Sequence, residues 1–106
     1  MKEQVAEMKN KFKDIDLDYF FEAVLSLKDK DECFRFFDDI CTVQELKAIS
    51  QRLQVAKMLD DNRVYNDIVQ ETGASTATIS RVNRSLHYGS DGYRIIFDRF
   101  KENNEI

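Results

Sequence analysis

Proline is absent from this chain, and glycine occurs only at Gly73, Gly89 and Gly92. These two residue types are the strongest interrupters of regular backbone. Proline removes an amide donor, and glycine loses the most conformational freedom when it is ordered. A chain of 106 residues with three interrupters is expected to be mostly helical. Hairpin-rich, collagen-like and proline-rich architectures are excluded. The length suits one domain, 1–106. Hydrophobic residues make up 42% and charged residues 34%, enough for a core and too many charges for a membrane span. No run approaches the roughly 18 apolar residues of a transmembrane helix. The opening MKEQVAEMKN has no apolar h-region. We therefore expect a cytoplasmic protein with no membrane partner and no secretory signal.

The chemistry-bearing residues are few. His87 is the only histidine, and no Cys/His spacing suits zinc, so no metal site and no cofactor is expected. No G-x-S-x-G, Walker A or G-x-G-x-x-G motif occurs, and the carboxylates are scattered over amphipathic stretches. No catalytic residue is assigned and an enzyme is not expected. Cys33 and Cys41 lie eight residues apart on one expected helix, about 12 Å along its axis. That is too far for a disulfide within the helix. Both fall on its apolar stripe, so they are expected to be buried free thiols in a reducing compartment.

Apolar residues recur at helical spacing from Leu17 onward, after a Lys/Glu-rich helix over 1–13. Leu17, Phe20, Phe21, Val24 and Leu25 mark one face, and Cys33, Phe36, Phe37, Ile40 and Cys41 repeat the register beyond the polar KDKD of 28–31. Asp14 or Asp16 is placed to cap the first of these helices, and Asp29 or Asp31 the second. Phe20, Phe21, Phe34, Phe36 and Phe37 offer more aromatic surface than one small neighbour covers. They form either the core beneath the rest of the chain or a subunit interface. Thr42-Val-Gln-Glu45 has capping-box spacing at the start of a third helix. That helix carries Leu46, Ile49, Leu53 and Ala56 along one side and ends at Asp60-Asp61-Asn62.

Residues 64–88 are the most informative. A short helix over 64–72, a turn at Gly73-Ala74-Ser75 and a second helix over 76–86 make a helix-turn-helix pattern. Gly73 supplies positive φ after the first helix, and Ser75 is placed to cap the second. Ile68, Ala74, Ile79 and Val82 are apolar where the two helices must pack. Thr72 is polar where an apolar side chain would pack better, and Val69 is bulky where a small one would ease the approach. A loop over 88–92 and a last helix with Tyr93, Ile96, Phe97 and Phe100 follow, with a polar ENNEI end.

Charge is unevenly placed. The net charge is −4, with 11 basic and 16 acidic residues over 1–71. Residues 72–94 hold Arg81, Arg84 and Arg94 against Asp91 alone. Thr76, Ser80 and Arg84 are four apart and share the outward face of the second helix, flanked by Ala77 and Arg81. Short hydroxyls and alanine at the front, with arginines behind, suit a helix entering the DNA major groove N-terminus first. Thr and Ala can meet a thymine methyl, and Ser or Thr can bond several base edges. On this reading Ser75, Thr76, Ala77 and Ser80 confer specificity, and Arg81, Arg84 and His87 anchor phosphates. The competing reading is a helical protein–protein interaction module that kept the corner and lost DNA binding. The acidic balance and the polar Thr72 point that way.

Gly73-Ala-Ser-Thr-Ala-Thr-Ile-Ser-Arg81, continuing to Asn83-Arg-Ser-Leu86, resembles the recognition segment of the Trp repressor family. Thr42-Val-Gln-Glu45 through Gln51-Arg52-Leu53 resembles the long helix before it. The whole chain is similar to the YerC/YecD-type bacterial members over about residues 12–100. The resemblance implies an all-α, Trp-repressor-like domain in an intertwined homodimer, with 1–41 as dimerisation helices and 64–88 as the helix-turn-helix. It further implies a transcriptional regulator, a repressor in type, reading a two-fold-related operator in double-stranded DNA. The family's tryptophan pocket would fall at Thr42, Arg52, Arg81 and Ser85. Val82 stands where that pocket has glycine, and its side chain would take space the indole needs. Tryptophan corepression is therefore not expected, and no small-molecule effector is assigned.

Overall fold

A computed structural model describes residues 2–103, with side chains from Val5 onward. Met1 and residues 104–106, part of the polar ENNEI end, lie outside the described residues. The described residues are all-helical, with no strand: α1 (Lys2–Lys11), α2 (Leu17–Leu25), α3 (Lys30–Ile40), α4 (Val43–Asp60), α5 (Tyr65–Thr72), α6 (Thr76–Tyr88) and α7 (Gly92–Glu102). The chain divides into two compact units, Met1–Val43 and Gln44–Ile106.

In the first unit the starts of α2 and α3 are each set by the aspartate directly before the helix. The Asp16 carboxylate accepts from the Tyr19 amide at 3.2 Å, and that of Asp29 from the Glu32 amide at 2.9 Å. Asp14 and Asp31 are not the caps. Phe20 of α2 and Phe36 of α3 approach to 6.1 Å between ring centroids, and Phe37 meets Phe36 edge-on at 5.2 Å. These pairs do not amount to a core. No residue of α2 or α3 is buried, and Leu25 and Phe34 remain 84% and 71% exposed. None of the five phenylalanines is buried. The expectation of two buried thiols also fails: both cysteines are free, but Cys33 is exposed and Cys41 half-buried. They lie on the stripe that Phe36 and Phe37 occupy, and the single chain does not bury that stripe.

The core belongs to the second unit. Val55, Ala56 and Met58 of α4, Ile68 of α5, Ala74 of the turn, Ile79 and Val82 of α6, and Phe97 of α7 form one buried cluster. Leu59, Val69, Leu86 and Tyr93 pack against it, so the bulk of Val69 is accommodated at the cluster's edge. Helix α4 stops where Asn62 takes φ 62°. The Arg63 amide donates to the Met58 carbonyl at 2.9 Å and the Asn62 amide to that of Leu59 at 3.0 Å. That pairing is a Schellman stop with asparagine in the left-handed position. Helix α6 runs two residues further than the apolar periodicity indicated and ends at Gly89. A Cβ at Gly89 would collide with the Ser85 carbonyl, so the close approach needs glycine.

One ion pair ties α7 to the end of α4. The Arg94 guanidinium donates to both carboxylate oxygens of Asp60 and lies 3.5 Å from Asp98. The Asp60 side chain is 15% exposed. The hydrogen bond from Arg94 holds the Asp60 carboxyl below its ordinary value of 3.8; partial burial opposes this, and the charges of Arg94, Lys101 and Lys57 assist. A depressed carboxyl pKa means that the unfolded chain binds the proton more readily. The pair's contribution is present in full above pH 3.8 and is lost as pH falls through the lower folded value. Asp60→Asn is therefore expected to be less stable than the natural sequence near neutrality. The gap between the two should close below about pH 4 in denaturant titrations. A gap independent of pH would show that the carboxylate charge is not what stabilises this corner.

Candidate nucleic-acid interface

The structure builds the α5–α6 corner from short-range bonds. Gly73 takes φ 73° with open space around its missing Cβ, so glycine is required there by conformation and not by crowding. Its amide donates to the Val69 carbonyl at 2.9 Å, closing α5. The Ser75 hydroxyl caps α6, accepting from the Thr78 amide at 3.1 Å and meeting the Thr78 hydroxyl at the same distance. Ile68, Ala74, Ile79 and Val82 are all buried between the helices, as their spacing indicated. Thr72 proves to be a turn residue. Its hydroxyl donates to the Ile68 carbonyl at 2.6 Å and accepts from the Ala74 amide at 3.1 Å.

With the inward side of α6 fixed, its outward side follows. Ser75, Thr76, Ala77, Ser80, Arg81, Arg84 and His87 are all exposed. Thr76, Ser80 and Arg84 lie one above another over about 12 Å of helix. His87 lies at the C-terminal end, its ring 6.4 Å from that of the exposed Tyr88. The third arginine of the cationic segment is not available to this face, since Arg94 is committed to Asp60 and Asp98. Among the described residues neither Arg81 nor Arg84 has a carboxylate partner, so their charges face solvent uncompensated. Arg63, by contrast, pairs with Asp67 and Glu71 on α5.

The four residues of the implied tryptophan pocket come from different parts of the chain. Arg52 lies on α4, and Arg81 and Ser85 on α6, all exposed; Thr42, also exposed, belongs to the first unit. Val82 is 3% exposed and part of the core cluster. Its side chain is packed among buried residues of α4, α5 and α7. Sequence reasoning missed Gln51, whose side-chain amide donates to the Thr72 carbonyl at 2.9 Å. The misfit of Thr72 was the available signal that this turn is organised by polar groups.

Comparison with known proteins agrees with this architecture. The chain belongs to the Trp repressor protein family, which matches residues 15–101. That family is one of DNA-binding regulators, a regulatory fold and not a catalytic one. The uncharacterized protein YerC of Bacillus subtilis (strain 168) is 54% identical over 93 residues, 88% of this chain and 89% of that protein. The crystal structure of a TrpR-like protein from Eubacterium eligens ATCC 27750 matches with TM-score 0.78 and 58% identity, covering 79% of this chain and 87% of that one. A second crystal structure, from Staphylococcus aureus, matches with TM-score 0.78 and 56% identity over 80% of this chain and 85% of that one. No helix among the described residues is long and apolar enough to cross a membrane.

Proposed function

We propose that this protein is a cytoplasmic DNA-binding transcriptional regulator, a repressor in type, that acts as a homodimer and reads a two-fold-related site with α6. The observation that carries the reading is the outward face of α6. It has small hydroxyl and methyl groups at its N-terminal end, where close approach to base edges is needed, and two arginines behind them, without an acidic partner among the described residues, to grip phosphate. Ser75, Thr76, Ala77 and Ser80 read the groove, and Arg81, Arg84 and His87 anchor the backbone. Dimerisation accounts for the uncovered faces of the first unit. Leu25 and Phe34 are open to solvent in the single chain, and Val5, Met8, Phe12, Ile15, Leu17 and Phe21 line an apolar groove of about 750 Å³. The packing of Val82 supports a regulator that does not use tryptophan.

The test is selection of bound duplexes from fragmented genomic DNA, followed by gel shifts of the selected fragments at low and moderate salt. Retention that falls steeply with salt is expected, because displaced counterions oppose binding as salt rises. Absence of retention at low salt would overturn the reading in favour of a protein-binding module.

A further inference from the structure

The polar groups of the turn before α6 form a chain that starts outside the corner, on α4. A helix leaves its last carbonyls without partners inside itself. Thr72 is the last residue of α5, and its carbonyl is such a group. The Gln51 side-chain amide, from a half-buried position on α4, donates to it at 2.9 Å across 21 residues of sequence. The Thr72 hydroxyl then bonds back to Ile68 and receives the Ala74 amide. Ser75, the next residue, caps α6. Hydrogen bonds at Thr72 and Ser75, joined through the backbone of Gly73 and Ala74, lead from Gln51 to the first turn of α6, and the residues proposed to meet base edges begin there.

We infer that Gln51 is a positioning residue for DNA recognition, acting through the Thr72 carbonyl to hold the turn and the N-terminus of α6 at a fixed place relative to α4. The inference rests on the DNA-reading proposal. Backbone apolar packing alone would keep α6 attached, since Ile79 and Val82 are buried. It would leave a half-buried carbonyl unsatisfied and the turn free to shift. A shift of the turn carries Ser75, Thr76 and Ala77 with it. Base-edge bonds are sensitive to such displacement, whereas contacts between phosphate and flexible arginines are not. Gln51 therefore governs discrimination between duplexes more than overall affinity.

The experiment compares Gln51→Met, which keeps length and loses the donor, with Gln51→Glu, which keeps shape and loses the donor. Each is measured against a duplex selected with the natural sequence and an unrelated duplex of the same length. Amide hydrogen exchange over residues 72–80, with Val55 and Phe97 as core references, is read in parallel. Both variants are expected to weaken binding to the selected duplex about fivefold, the scale of one hydrogen bond, with the unrelated duplex unchanged. Exchange at Ala74 and Thr78, whose amides are held by the Thr72 and Ser75 hydroxyls, is expected to quicken, while that of Val55 and Phe97 stays slow. Equal losses on both duplexes, or loss of thermal stability with discrimination intact, would overturn the positioning role. If the natural sequence binds no duplex, the DNA reading falls on its own. The brace is then judged by exchange: unchanged exchange at Ala74 in both variants would overturn it too.

Discussion

Val82→Gly is expected to lower the unfolding free energy by about 3 kcal/mol. The side chain is almost fully enclosed by the cluster that also holds Ile79 and Phe97. Removing its methyl groups forfeits their transfer free energy and leaves a cavity, about 2 kcal/mol together. Glycine within a helix adds about 1 kcal/mol. Against a total of about 5–15 kcal/mol for a small domain, that is a large share. Denaturant titration measures it, and a loss below about 1 kcal/mol would mean that the valine is not packed as described. The same residue underlies the proposal of a regulator that does not use tryptophan. Titration calorimetry of the natural sequence with tryptophan is expected to show no binding heat. Micromolar binding would refute the view that Val82 occupies the ligand's space.

The parts of the fold legible in the sequence are those encoded within four residues. Asp16, Asp29 and Ser75 precede apolar-periodic stretches, and each caps the helix that follows. Gly73 stands where a left-handed residue is needed, and it has φ 73°. The inward set Ile68, Ala74, Ile79 and Val82 follows from periodicity alone, and the outward face of α6 is its complement. Long-range pairings were not legible. Gln51 meets Thr72 across 21 residues and Arg94 meets Asp60 across 34, and no local rule connects either pair. The Arg94 pairing matters to function, because a count of arginines overstates the charge offered by residues 72–94. Cys33 shows a different limit. An apolar stripe signals that a face is to be covered, but not that the same chain covers it. Its exposure follows from the open stripe of α3, the feature that also motivates the proposal of a dimer.

The second large effect concerns Arg81 and Arg84 together. Replacing both by Ala is expected to weaken binding to any duplex at low salt by about 100-fold for each reading helix, taking about 1.5 kcal/mol for each charge-assisted contact, and so by about 10,000-fold for a dimer that docks both. The slope of log affinity against log salt should become shallower by about two for each reading helix, because each phosphate contact releases about one counterion. Preference among sequences should survive if both arginines touch only phosphate. If either reads a guanine, preference at that position should relax. Both side chains are exposed and, among the described residues, without acidic partners, so folding stability should change by less than about 0.5 kcal/mol. That separation is what makes the double variant decisive: a well-folded protein with unchanged affinity and unchanged salt slope would show that DNA does not dock on this face of α6. A proportionate loss on every duplex, with the fold intact, would place the phosphates beside the guanidiniums and the bases ahead of them, at Thr76, Ala77 and Ser80.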